Sequence, residues 1–174
     1  TTDLYGEGDR DQYFGTSMGV TGLTYKKAIN EKTFVSSTVA LSQEIQHANH
    51  DYLQRSLNTA GGDTSIQINA IYPLMAYTFI TNKVSSYTAV NHKINKQHLV
   101  KFGYNADFFL MNMHDSALID YNVPNQYFTR WNYEGSCVLI QPFIQWKWRM
   151  SDGTDFTAGI HSQYFSMSNS ISPA

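Results

Sequence analysis

Cysteine, charge and long hydrophobic runs are what this sequence has least of. Its one thiol, Cys137, cannot close an intramolecular disulfide and has no second thiolate with which to build a zinc site. Charged residues make up only 15% of the chain, the net charge is -2, and the cations are scattered. The electrostatic footprint of a nucleic-acid binder is therefore missing, and no nucleic-acid partner is expected. No stretch reaches the roughly 18 to 20 consecutive apolar residues that a membrane helix needs. That excludes a helical span but not a strand-built one, because alternating residues average out in a hydropathy window and fit the mean hydropathy of -0.36. The N-terminal "TTDLYGEGDRDQ" has neither the basic start nor the apolar core of a signal peptide, so the expectation is a piece cut from a longer chain.

Catalytic signatures are missing too. There is no G-x-S-x-G elbow, no phosphate-cradling glycine loop and no H-E-x-x-H. Glu44, Glu134, Asp107 and Asp155 are too dispersed for any pair to act as acid and base, so neither enzyme activity nor a cofactor is expected. "HANHD" (His47, His50, Asp51) gathers two imidazoles and a carboxylate. Residues three apart on a strand face opposite sides, however, and none of the usual ligand spacings is present, so no metal site is expected. Loop polarity is the reading for this segment and for "MHDS" at Met113. "SDGTD" lacks the alternating ligands and closing Glu of a calcium loop and reads as a hairpin turn.

What the chain does have is ring surface, with aromatics at 14%, and a period of two. In "VLIQPFIQWKWRM", Val138, Ile140, Pro142, Ile144, Trp146 and Trp148 alternate with residues that include Gln141, Gln145, Lys147 and Arg149, which reads as a strand with one oily and one wet face. "HLVKFGYNADFFLMN" places Val100, Phe102, Tyr104, Ala106, Phe108 and Leu110 opposite Lys101, Gly103, Asn105 and Asp107. In "TFVSSTVALSQEIQ" the apolar set is odd-numbered: Val35, Val39, Leu41 and Ile45. Thr78 to Ile94 sets Ile80, Val84, Val90 and Ile94 against Lys83, Ser85, Asn91 and Lys93, with His92 a blemish on the apolar side. "DFTAGIHSQYFSMS" alternates likewise, and "YFGTSMGVTGLTYKKAI" does so poorly.

These segments predict about six strands, each about 14 to 17 residues long, where ordinary globular strands peak near 5 to 6 and a membrane strand needs about 9 to 11. "NEKT" at Asn30, "NKQ" at Asn95 and "SDGT" at Ser151 are tight polar turns. His47 to Tyr77 and His114 to Trp131 read as long links, the first with room for two further short strands in "SIQINAIYPLMAY". Short and long links thus alternate, as they do in an up-and-down outer-membrane barrel. Trp146, Trp148, Tyr25, Phe34 and Phe156 lie at similar distances from short turns, as an aromatic girdle requires. About six strands cannot close where the smallest such barrels have 8, and "SNSISPA" falls in what should be an outside loop, so the expectation is a segment of a larger barrel.

Taken in order, "YFGTSMGVTGLTYKKAINEKT", "HKINKQHLVKFGYNADFF" and "LIQPFIQWKWRMSDGTDFTAGIHSQYFSMSNSISP" resemble the barrel of a TonB-dependent outer-membrane receptor of Bacteroidota type. The resemblance implies an all-β fold of antiparallel up-and-down transmembrane strands, with residues 1–174 one segment of a 22-stranded barrel and neither plug domain nor TonB-interacting box in view. It implies the bacterial outer membrane as the location and import of a scarce ligand as the activity: a siderophore, vitamin, glycan or peptide. The partners would be outer-membrane lipid, the rest of the barrel and its plug, TonB through the full-length protein, and a surface lipoprotein. Asn49 to Pro73 and Asp115 to Arg130 would be the specificity loops. Lys101, Asn105, Asp107, Gln141, Gln145 and Lys147 would face the lumen, as structural cross-strand partners or as solute-orienting groups, and Cys137 shares their parity as an inert small residue. Two alternatives stay open: a complete 8-stranded outer-membrane barrel with a structural or adhesive role, and a soluble lipocalin-like barrel whose apolar face lines an internal pocket.

Overall fold

A backbone whose side chains alternate between two faces can satisfy its N–H and C=O groups only by pairing with a neighbour of the same kind. The computed structural model, which describes residues 9–58, 65–120 and 126–173, shows that pairing throughout. Seven strands follow in order: β1 (Arg10–Asn30), β2 (Thr33–Asn58), β3 (Ser65–Lys93), β4 (His98–Leu118), β5 (Tyr127–Ser151), β6 (Thr154–Phe165) and β7 (Ser170–Pro173). They form one antiparallel sheet in sequence order, and that sheet is not closed. Among the described residues there is no α-helix.

The short turns are built as expected. Asn30 Oδ1 accepts the Lys32 amide at 2.9 Å, and Asn95 Oδ1 accepts those of Gln97 and His98 at 2.8 and 2.9 Å. These side-chain caps hold the chain in a tight reversal.

The long links are corrected. β2 runs on through His47, His50 and Asp51 to Asn58, and β3 starts at Ser65, so "SIQINAIYPLMAY" is one continuous strand rather than a loop or two short strands. β4 likewise continues through "MHDS" to Leu118, and β5 resumes at Tyr127. Most of the expected specificity loops is therefore strand. The strands are accordingly longer than expected, at 21 to 29 residues for β1 to β5. Main-chain pairing needs no apolar alternation to continue, which is why the polar stretches gave no strand signal. "SNSISPA" does not form an outside loop either: Ser166 to Asn169 make a tight turn, with Asn169 at φ 46°, and β7 pairs back on β6 with Gln163 opposite Ser172. Asn tolerates this left-handed backbone better than most residues.

The chain divides into two compact units. The first comprises Thr1–Met18, Glu44–Thr81 and Met111–Glu134. Its packing centre is a small cluster of Tyr52, Leu74 and Leu118, with Tyr72 against it. The second comprises Gly19–Gln43, Asn82–Leu110 and Gly135–Ala174, and holds the three short turns. Among the described residues only Ala48, Tyr52, Leu74, Ala89, Leu118 and Cys137 are buried hydrophobics, and no large side chain is fully enclosed.

What holds the second unit is strand contact at close range. At Gly103 a side chain would collide with the Thr88 carbonyl and come within 2.9 Å of the Ala89 Cα, so β3 and β4 approach more closely there than any other residue allows. Gly19, on β1, has open space where a Cβ would sit. Gly103→Ala should cost on the order of 1–3 kcal/mol and speed amide exchange along β3 and β4, whereas Gly19→Ala should leave both unchanged. Hydrogen exchange on the two variants checks this, and equal behaviour would contradict the close approach.

Candidate functional site

The second unit presents two chemically distinct faces, and side-chain contacts show which residues share each. Thr33 Oγ1 meets His92 Nδ1 at 2.9 Å, Ser37 Oγ meets Thr88 Oγ1 at 2.9 Å, and Ser86 Oγ meets Tyr104 OH at 3.4 Å. Odd positions of β2 and even positions of β3 and β4 therefore lie together. The Trp146 indole N–H donates to His98 Nδ1 at 3.2 Å, adding the even positions of β5, and pairing of Ile144 with Ile160 and Trp148 with Phe156 adds those of β6. This face carries Val39, Leu41, Val84, Phe102, Phe108, Leu110, Ile140, Ile144 and Ile160, all exposed, from 39% at Phe108 and Ile140 to 73% at Ile160. Summed at roughly 100 Å² each they make an apolar patch on the order of 1,000 Å², beyond the few hundred Å² usual for a soluble monomer.

At its short-turn end this face gathers rings. His98 stacks on Trp146 and Trp148 with centroids 5.5 and 5.9 Å apart, the two indoles stack at 6.1 Å, and Phe156 sits edge-on to Trp146 at 6.2 Å. Trp146, Trp148 and Phe156 thus come together as the sequence suggested. Tyr25, at an odd position of β1, lies on this apolar face, but Phe34 does not. Phe34 lies on the opposite face, as its even position in β2 is shared with Thr38, which bonds Thr24 there. His98 was not foreseen, since a polar residue next to a turn gave no aromatic signal.

The other face carries all six residues singled out from the sequence: Lys101, Asn105, Asp107, Gln141, Gln145 and Lys147. Ser85 Oγ donates to Asp107 Oδ1 at 2.5 Å, and Asn105 Nδ2 donates to Gln141 Oε1 at 3.2 Å. Lys147 Nζ lies 2.6 Å from Asp155, which Arg149 also approaches at 3.6 Å. Gln145 pairs in register with Gly159. Lys101 and Asp107 share the face without pairing: the Lys101 ammonium sits 5.6 Å above the Phe143 ring, and Lys83 sits 5.7 Å above Phe109. Tyr87 stacks on Phe143 at 6.3 Å. This wet face therefore has aromatic platforms under its cations, worth about 0.5–1 kcal/mol each at an exposed site. Their odd parity in β4 and β5 was the sequence signal, masked by the dominant alternation. Cys137 is buried in β5, at the same odd parity.

The first unit holds two ion pairs. Arg130 meets the buried Asp115 at 2.7 Å, and Arg55 meets Asp9 at 2.5 Å. "MHDS" and "HANHD" are thus strand-borne, which corrects their reading as loop polarity. His47 is exposed, His50 is buried against the Arg10 side chain, and among the described residues no three metal-capable side chains converge.

Comparison with known protein families, characterised proteins and solved structures gives no match.

The Lys147–Asp155 contact makes a direct prediction. The Lys147 hydrogen bond holds the Asp155 carboxyl below the usual carboxylate value, against a smaller desolvation push upward and with help from the Lys147 and Arg149 charges. A depressed carboxyl contributes stability that is complete above the unfolded-state value and is lost as pH falls through the folded one. Carboxyl-carbon NMR should show Asp155 titrating below a free Asp, and Lys147→Gln should raise it toward normal. Titration at the normal value in the parent chain would contradict the contact.

Proposed function

We propose that the chain is part of the wall of a bacterial outer-membrane β-barrel, that of a TonB-dependent receptor importing a scarce ligand. The observation that carries this is the uncovered apolar face of the second unit, with Phe102, Phe108, Leu110, Ile140 and Ile144 exposed on one side and Lys101, Asn105, Asp107 and Gln141 on the other. The portions of β1 to β6 within that unit run about 11 to 17 residues, enough for the roughly 9 to 11 that a tilted membrane strand needs. From His98 to Leu110, a rise of about 3.4 Å per residue tilted about 40° covers roughly 30 Å, against an apolar band of about 25 Å.

Turning the sheet over decides the sign. A lysine facing lipid at the midplane costs roughly 2–4 kcal/mol, so Lys83 and Lys101 belong inside and the apolar set outside. Several polar side chains on the apolar face are bonded to one another, which lowers their cost in hydrocarbon: Thr33 with His92, Ser37 with Thr88, and Gln43 Nε2 donating to Asn82 Oδ1 at 2.8 Å. The ring cluster of Trp146, Trp148, His98 and Phe156 suits one interface. A lipocalin-like body would need the apolar face turned inward over a pocket.

The open sheet supports a larger barrel over a small closed one. Among the described residues β1 pairs only with β2, and β7 only with β6, so in the membrane reading the outer edges are completed by strands beyond these seven. In the receptor reading those come from the rest of a 22-stranded wall around a plug, with TonB engaged through the full-length protein and a surface lipoprotein as a further partner. Binding of a siderophore, vitamin, glycan or peptide would then draw on the wet face and the long connections.

Single cysteines along Leu99 to Leu110 in native outer membranes test the orientation. A membrane-impermeant maleimide added from the aqueous side should modify positions 101, 105 and 107 and spare 102, 108 and 110. The opposite pattern would place the even set in an internal pocket. Cysteines on the free edge of β1 should cross-link to strands outside residues 1–174, and a cross-link to β7 of the same chain would instead indicate a small closed barrel.

A further inference from the structure

The second unit holds most of the chain's Lys and Arg but few of its Asp and Glu. On the wet face of β3 to β6 it sets Lys83, Lys93, Lys101, Lys147 and Arg149 against Asp107 and Asp155. Three of these cations meet at the short-turn end. The Ile94 amide donates to the His98 carbonyl at 3.0 Å and the Arg149 amide to the Gln97 carbonyl at 2.8 Å, a register that puts Lys93 and Lys147 on either side of Leu99. With neighbouring strands about 4.8 Å apart, the two lysine backbones stand about 10 Å from one another. The cleft between them is lined by Lys93, Leu99, Lys147 and Arg149, with Lys96 and Gln97 from the turn, and it opens on the wet face, opposite Trp146 and Trp148.

Charge in this cleft is unbalanced. Asp155 answers Lys147 at 2.6 Å and Arg149 at 3.6 Å, yet those two side chains stay 41% and 59% exposed and free to turn toward a second anion. Among the described residues, neither Lys93 nor Lys96 has an ion-pair partner. Asp107, the other carboxylate of this face, lies eight residues along β4 from Leu99, about 27 Å away at 3.4 Å per residue, and accepts Ser85 instead. Four cations against one carboxylate leave three positive charges unanswered. A carboxylate would remove one of them, whereas a phosphate monoester brings about -1.5 to -2 and three acceptor oxygens. Those oxygens suit ammonium groups arriving from two sides and a guanidinium beside them.

We propose that this cleft is a subsite for a phosphate ester carried by the solute that moves along the wet face, bridged by Lys93 and Lys147 and closed by Arg149 and Lys96. The proposal rests on the receptor reading above and adds the chemistry of its ligand, a phosphorylated solute. In that reading the short turns face the periplasm, so the cleft lies at the inner mouth of the lumen. The exposed Leu99 floors it and meets the part of the solute next to the phosphate.

Lysine acetylation in native outer-membrane fragments that hold the whole protein, open to reagents on both sides, tests the subsite with inorganic phosphate as the probe. Modification of each lysine is read by mass spectrometry after brief treatment. Phosphate at twice its dissociation constant should slow acetylation of Lys93 and Lys147 about threefold and leave Lys83, at the far end of the same face, unchanged. Sodium chloride of equal ionic strength and sodium acetate should protect neither. In Lys93→Gln the protection of Lys147 should fall to near parity. Equal slowing at Lys83, or by chloride, would reduce the effect to ionic screening and overturn the subsite. Equal protection by acetate would overturn the phosphate assignment, and protection of Lys147 that survives Lys93→Gln would overturn the bridge. Impermeant maleimide on single cysteines at positions 101 and 102, in the same fragments, reports the reading on which the proposal rests. Phosphate protection absent while 101 is modified and 102 spared would overturn the subsite alone, and the inverted maleimide pattern would overturn the wet lumen and the subsite's place in it.

Discussion

An apolar face that none of the described residues covers is the constraint on which the proposed account depends. Antiparallel pairing satisfies the backbone groups of β1 to β7, except along the two free edges, and it fixes side chains into two sets that cannot exchange without a slip of register. In the second unit one set is oily and exposed and the other is polar and interlinked. A soluble protein would bury the oily set in a core, and the buried hydrophobics among the described residues are too few and too small to be one. In the reading proposed above, the medium facing Phe102, Phe108 and Ile144 is hydrocarbon rather than water. Hydrocarbon is the environment in which that face is neutral and its opposite, with Lys101 and Lys83, would be costly.

From that constraint the other features follow with little freedom. Several polar side chains stranded on the oily face find one another, as Gln43 does with Asn82. Amphipathic rings collect where the oily face ends, and across the sheet at the same end the charge becomes basic at Lys93 and Arg149. Between the rings of the wet face and their cations the interaction is weak and adaptable, unlike that of a fixed core. Stability in such a sheet comes from ladder bonds and close strand approach, as at Gly103, more than from side-chain burial.

Much of this was legible because a period of two is written directly into residues 98–110 and 138–150. The face assignment of Lys101, Asn105, Asp107, Gln141, Gln145 and Lys147 needed only parity, and the short turns needed only Asn at Asn30 and Asn95. Strand ends were not legible. β2 continues through His47, His50 and Asp51, and β4 through Asp115, because ladder bonds persist where side chains are polar, and no periodicity survives there to announce it. Partners distant in sequence were hidden for the same reason: Arg130 meets Asp115 and His98 meets Trp146 only once register is set. The rings of Phe109 and Phe143 on the wet face were present in the sequence but were overshadowed by the stronger alternation around them.

Spin labels placed at the adjacent residues Ile144 and Gln145 on β5 test the central claim most directly, through their relative collision rates with oxygen and with a water-soluble nickel chelate in the native membrane. The account predicts that the label at Ile144 collides mainly with oxygen, which concentrates in hydrocarbon, and the label at Gln145 mainly with the nickel chelate. Equal nickel accessibility at both positions, or shielding of Ile144 from both reagents, would mean that the oily face meets water or a protein interior and would contradict it.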